Sequence, residues 1–157
     1  MTDIREPEVV RLNNMVCFNL NAAARAVTAV YRSLLEPLGV TYPQYLVLAS
    51  LWEYGDLSVG EMARLLQLDY GTMTPLLKRM EKQGLVHRAR NPEDERTVIV
   101  TLAPEGDALR THAPRIYQAI CDTFDFTPER AAAAQLVLQP IIDRANQATG
   151  IVPLRKG

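Results

Sequence analysis

Cysteine, histidine and large aromatic residues are all scarce in these 157 residues: two Cys, two His, one Trp and three Phe. Cys17 and Cys121 stand far apart, with no CxxC pair and only His87 and His112 to assist them. A zinc site is therefore not expected, and no cofactor motif or phosphate-cradling loop appears. Charge of either sign is also short in the balance, since 17 Lys+Arg against 18 Asp+Glu leave a net charge of −1. That excludes a generally basic nucleic-acid coat, so any such contact must come from a local patch. No apolar run approaches the ~20 residues of a membrane span, and the polar start from Thr2 to Glu8 is unlike a signal peptide. A cytoplasmic chain with no membrane partner is expected. What is present, 48% apolar and 22% charged residues, is the balance of one ordinary globular domain.

Apolar residues recur at Leu12, Val16, Leu20, Val27, Val30, Leu34 and Leu38, in steps that make one stripe of a long helix from Val9 to Leu38. Gly39 is its natural stop. At roughly 30 residues it would be about 45 Å long, more than a domain of this size covers, so a partner subunit is implied. Thr41 opens a second helix with Pro43 in its first turn, ended by Gly55. Ser58-Val59-Gly60-Glu61 has capping-box spacing and starts a short helix through Leu66. A further helix is expected over about Asp69 to Gln83, closed by Gly84. Pro75 inside it argues for a start near Thr72 or a local distortion.

The period then changes. Val86–Arg90 alternates, Asn91–Arg96 is turn chemistry and Thr97–Leu102 is β-branched, which predicts a two-stranded hairpin with a charged tip. Ala103-Pro104-Glu105 opens a long helix to about Phe124, and Thr127-Pro128-Glu129 opens a last one to about Ala148. Three helices followed by a hairpin make a winged helix-turn-helix in a mainly α chain, with terminal helices left over to dimerise. An all-α bundle with an incidental hairpin is the alternative. The expected divisions are 1–40 for the N-terminal dimerisation helix and 41–103 for the DNA-binding lobe. C-terminal dimerisation helices occupy 104–149, and 150–157 form a loose tail.

Arg64, Lys78, Arg79, Lys82, Arg88, Arg90 and Arg96 concentrate basic charge on one segment of a near-neutral chain. The expected recognition helix begins with Tyr70, Gly71, Thr72 and Thr74, whose hydroxyls can reach base edges or phosphates while the helix N-terminus favours a phosphate. Lys78 and Arg79 can neutralise phosphates further along. Asp94 can hold the guanidinium of Arg96 at the hairpin tip. A solvated charged face and a salt-bridged turn remain the alternative for any one of these residues. Cys17, among Val16, Phe18 and Leu20, is either an inert thiol or one whose task is to be oxidised. Cys121, between Ile120 and Phe124, is either a small core residue or a second redox thiol.

Leu57–Leu66, Gly71–Val86 and Asp94-Glu95-Arg96 resemble the MarR family of dimeric regulators. Cys17-Phe18, Thr41-Tyr42-Pro43-Gln44-Tyr45 and Gly71-Thr72-Met73-Thr74-Pro75 are similar to its organic hydroperoxide sensor branch, OhrR. The likeness is close over Met15 to Gly106 and loose beyond. It implies a homodimeric repressor on a pseudo-palindromic double-stranded operator, with Arg96 entering a minor groove. It also implies that Cys17 is oxidised to a sulfenic acid, with Tyr31 and Tyr42 directed at the sulfur and Cys121 of the other subunit as resolving thiol. Apolar walls would then favour organic hydroperoxides as effectors over hydrogen peroxide. Two positions depart from the branch: Asn21 replaces a third tyrosine, and Tyr70 a small polar residue. A regulator released by a small phenolic ligand, with structural cysteines, is the second reading. An enzyme is not expected, because no cysteine stands at a helix N-terminus beside Arg or His.

Overall fold

The structure is a computed structural model in which residues 11–154 are described. The expected helix start at Val9 and the basic end of the tail, Arg155 and Lys156, lie outside the described residues. The chain divides into two compact units, Met1–Tyr42 and Pro43–Gly157.

In the first unit the long stripe forms a 20-residue helix, α1 (Val16–Leu35), between two 3-10 turns, Leu12–Asn14 and Glu36–Leu38. The expected single helix of about 30 residues is thus shorter. Met15 is extended at its start (φ −83°, ψ 99°). At its end Pro37 has no N–H to return to Ser33, and the chain tightens into the 3-10 turn. Gly39 then takes the left-handed conformation at φ 70°, as its position predicts.

The second unit holds the winged helix. Helix α2 (Tyr42–Tyr54) starts directly after Thr41 and belongs to this unit from Pro43 onward. A two-residue strand, β1 (Leu57–Ser58), leads into α3 (Val59–Leu66). The capping box forms as its spacing predicts: the Glu61 amide donates to Ser58 Oγ at 3.1 Å and the Ser58 amide to Glu61 Oε2 at 2.9 Å. Helix α4 (Tyr70–Lys82) contains Pro75 and still begins at Tyr70. Pro75 forfeits the bond to the Gly71 carbonyl, while Asp69 supplies a strong cap that keeps the start at Tyr70.

Strands β2 (Val86–Asn91) and β3 (Asp94–Leu102) pair antiparallel, with Val86 opposite Leu102 and a register irregularity at Arg90/Asn91. The strands run further than expected, leaving only Pro92-Glu93 between them. The sheet has a third member, because β1 pairs with β3 through Leu57 and Val100. Two residues are too few to show a period. The expected single helix after Ala103 is interrupted as well: α5 (Pro104–Ala108) passes through a 3-10 segment, Leu109–His112, into α6 (Ala113–Phe124). Pro114 explains the break, since it cannot donate to Arg110 and restricts the residue before it. The last helix, α7 (Pro128–Thr149), is capped by Thr127 and ends at left-handed Gly150.

The core of this unit joins α2, the winged-helix elements and α6 through Val47, Leu48, Met62, Met73, Leu77, Met80, Val86, Val100 and Ile116. Its apolar burial fixes α3 and α4 as one block beneath the sheet. No helix among the described residues is long and apolar enough to cross a membrane.

Candidate DNA interface and thiols

Asp69 determines how α4 begins. Its carboxylate accepts the Thr72 amide at 2.8 Å and the Thr72 hydroxyl at 3.0 Å. Those bonds, the amide first, hold the Asp69 carboxyl below its ordinary value of 3.8. A carboxylate therefore already occupies the helix N-terminus where a phosphate was expected, and the Thr72 proton is committed to it. With this carboxylate at the terminus, the side chains of α4 are what remains to meet a nucleic acid. Tyr70 is 60% exposed, Lys78 and Arg79 are exposed, and Thr74 is half-buried.

At the wing, Asp94 does not hold a guanidinium. Its carboxylate accepts the Arg96 amide at 3.1 Å and the Thr97 hydroxyl at 2.7 Å, and these two partners, the hydroxyl first, keep its carboxyl below 3.8. It fixes the backbone that carries Arg96, and the Arg96 side chain is left exposed. Arg90, also exposed, donates to the Glu95 carbonyl at 3.4 Å. The basic segment is smaller than its count of charges. Arg88 pairs with Glu81 at 2.8 Å and also donates its amide to it at 3.0 Å, and Arg64 donates to the Val152 carbonyl at 3.1 Å. Tyr70, Thr74 and Arg96 border one depression of about 180 Å³ between α3, α4 and the wing, floored by Val59, Leu77 and Val98. Lys78, Arg79, Arg90 and Asp94 lie outside it.

Both carboxylate caps predict the same acid response. A folded pKa below the ordinary one contributes stability above the ordinary value, and that contribution is lost as pH falls through the depressed value. Amide exchange should show Thr72 and Arg96 losing protection below pH 3.8. Asp69→Asn should remove the pH dependence at Thr72 alone. Protection that does not change with pH would show that neither carboxylate supports its turn.

Cys17 is exposed on α1 and Cys121 is half-buried on α6, both as free thiols. Asn21 donates its side-chain amide to the Cys17 carbonyl at 3.0 Å, a bond along its own helix in place of the missing tyrosine. Tyr31 and Tyr42 stack on each other, with ring centroids 4.3 Å apart and planes at 23°. Burial pushes the Tyr42 phenol above its ordinary pKa, so it stays a protonated donor. The sequence reading missed Tyr117, one turn before Cys121. Interaction with the Cys121 side chain raises the pKa of its exposed phenol. The i, i+4 spacing was the available signal. Cys121 opens on a depression of about 300 Å³ beside Asp122, Asp125 and Phe126.

The model of the MarR family matches residues 40–98. The organic hydroperoxide resistance transcriptional regulator of Bacillus subtilis is 49% identical over 104 residues, 66% of this chain and 71% of its own length. The transcriptional regulator MgrA of Staphylococcus aureus is 32% identical over 142 residues, 90% of this chain and 89% of its own. Among solved structures, AbfR of Staphylococcus epidermidis bound to DNA, both reduced and overoxidized, is 31% identical with a TM-score of 0.73, covering 90% of this chain and 99% of that one. A disulfide-formed AbfR is 33% identical with a TM-score of 0.60, covering 87% and 96%. With this fold and these relatives, the chain belongs to the MarR family of DNA-binding transcriptional regulators, which are not enzymes.

Proposed function

We propose that this protein is a cytoplasmic, homodimeric repressor that releases its operator when an organic hydroperoxide oxidises Cys17. The observation that carries this reading is that both thiols are free and reachable: Cys17 is exposed, and Cys121 opens on a surface depression. In the proposed reaction the Cys17 thiolate attacks the terminal peroxide oxygen, forming the sulfenic acid while the alcohol leaves with a proton. The Cys121 thiolate of the other subunit then attacks that sulfur, and water departs as the disulfide forms. Tyr31 and Tyr42 act as phenol donors toward the reacting sulfur. The similarity to a regulator named for organic hydroperoxide resistance, and to one known in reduced and disulfide forms, supports the assignment.

The dimer is proposed to form through α1 and the C-terminal helices. Val16 (62% exposed) on α1 and Leu136 (79%) and Val137 (63%) on α7 are large apolar side chains that a single chain leaves in water. DNA is held by Tyr70, Thr74, Lys78 and Arg79 of α4 and by Arg90 and Arg96 of the wing, with Thr72 held in the Asp69 cap and Asp94 shaping the turn. A pseudo-palindrome with half-sites about one helical turn apart fits such a dimer.

The test is operator affinity before and after one equivalent of tert-butyl hydroperoxide. Loss of binding that a thiol reductant restores is expected, and unchanged affinity would overturn the redox reading. Arg96→Ala should weaken binding and reduce the slope of log affinity against log salt by about 1 per half-site. Unchanged affinity and slope would mean the wing makes no DNA contact.

A further inference from the structure

Tyr70 opens α4, and Gly60 lies in the first turn of α3. A Cβ built on Gly60 would stand 2.5 Å from the Tyr70 hydroxyl oxygen but 3.6 Å from its Cζ. The first separation is too short for any side chain at position 60 while the ring keeps its place. The second is ordinary van der Waals contact. Only the hydroxyl therefore depends on the missing Cβ. With that end set close to Gly60, Tyr70 is still 60% exposed, so the residue remains open to contact. Thr74, one turn later, and Arg96 of the wing border the same depression.

We propose that Gly60 and Tyr70 form a steric pair that holds the phenyl ring as an apolar reader of a thymine 5-methyl group in each operator half-site. The proposal rests on the DNA-binding reading above. In the major groove the thymine methyl is the one apolar group a base pair presents, and an apolar side chain is its natural contact. A ring with two torsions and one end stopped by a neighbouring helix loses little freedom on binding. It also meets one base position instead of sweeping several. Reading through the hydroxyl is disfavoured, because that oxygen is turned to Gly60.

The test begins with an operator selected by the wild-type protein from a random duplex pool. Each thymine is then replaced in turn by deoxyuridine, which lacks only the methyl. One position per half-site should cost the wild type about fourfold in affinity, and both half-sites together about fifteenfold, the burial of one carbon each. Tyr70→Phe should keep that sensitivity and Tyr70→Ser should lose it. Gly60→Ala should lose it by pushing the ring aside, whereas the double variant Gly60→Ala, Tyr70→Phe should recover it, because Cζ leaves room for the methyl. Recovery in the double variant also establishes that alanine at position 60 is itself compatible with the fold and with DNA binding. A wild type that selects no operator would overturn the DNA reading and the proposal together. A selected operator with no uracil-sensitive position would overturn the proposal alone. So would Tyr70→Phe behaving as Tyr70→Ser, or a double variant no better than Gly60→Ala.

Discussion

Replacing Cys17 with serine is expected to abolish the response to an organic hydroperoxide while operator affinity stays at the wild-type level. Serine preserves size and helix fit, but its hydroxyl has no accessible anion to attack a peroxide. The thiol lies on α1, away in sequence from every residue proposed to touch DNA. Cys121→Ser should separate the two steps. Its Cys17 should still react, stop at the sulfenic acid, and then be over-oxidised or capped by a small thiol. In the wild type, oxidation should yield a cross-linked dimer on non-reducing gels that reductant returns to monomer, and mass spectrometry should find a Cys17–Cys121 peptide. If the oxidised wild type yielded no such peptide, a Cys121→Ser variant that still releases operator would reduce the mechanism to one cysteine. A responsive Cys17→Ser variant would remove the redox mechanism. Release of operator from the doubly substituted protein by a small phenolic compound would establish the ligand-driven reading in its place.

Local chemistry was legible in the chain because it acts over three or four residues. The Ser58–Glu61 box, the left-handed stops at Gly39, Gly55 and Gly84, and the change of period at Val86 each name their own geometry. The resemblance of the Leu57–Leu66 and Gly71–Val86 runs to a family supplied the function that order alone left open. The departures arose where one local signal competed with another. Asp69 reads equally as a helix cap and as an ordinary loop acid, and only as a cap does it displace a phosphate from the terminus. Pro114 and Pro37 each stood inside a convincing apolar stripe, and the missing N–H decided against the stripe. Asp94 lies two residues from Arg96, close enough for either its amide or its guanidinium, and the tight turn selects the amide.

Contacts between distant elements could not be read from spacing at all. Gly60 against Tyr70 is one case. Gln44 is another: buried on α2, it donates to Gln83 at the end of α4 at 2.8 Å, tying the recognition helix to its support. Neither pair leaves a periodic trace, because each depends on where two separate elements come to rest.

Gly106 shows the strongest such contact, and Gly106→Ala is expected to be among the most destabilising single substitutions in the chain. The residue is buried on α5, and an added Cβ would stand 2.1 Å from the Leu85 carbonyl oxygen, 3.1 Å from the Leu85 carbonyl carbon and 3.1 Å from Leu48 Cδ2. Two of those three atoms are backbone and cannot swing away. Leu85 is itself held from both sides: its amide donates to the Met80 carbonyl at 3.0 Å, and its carbonyl accepts the Ala103 amide at 3.1 Å. The Gly106 carbonyl in turn accepts the Trp52 indole N–H at 3.2 Å. To admit a methyl group, α5 must withdraw from Leu85, straining the Ala103 and Trp52 bonds together. Overpacking costs about 1–3 kcal/mol and each weakened hydrogen bond about 1 kcal/mol, while alanine returns up to ~1 kcal/mol of helix propensity. The net loss is about 3 kcal/mol, which for a domain of this size lowers the melting midpoint by roughly 6–12 °C. Operator affinity should fall as well, because Leu85 follows directly from the end of α4. Gly60→Ala is the control, since the atom it meets ends a flexible side chain, and its midpoint should stay near that of the wild type. Equal midpoints for Gly106→Ala and the wild type would mean that α5 moves freely over Leu85, and the close packing of backbone on backbone would then contribute nothing to holding the winged helix in shape.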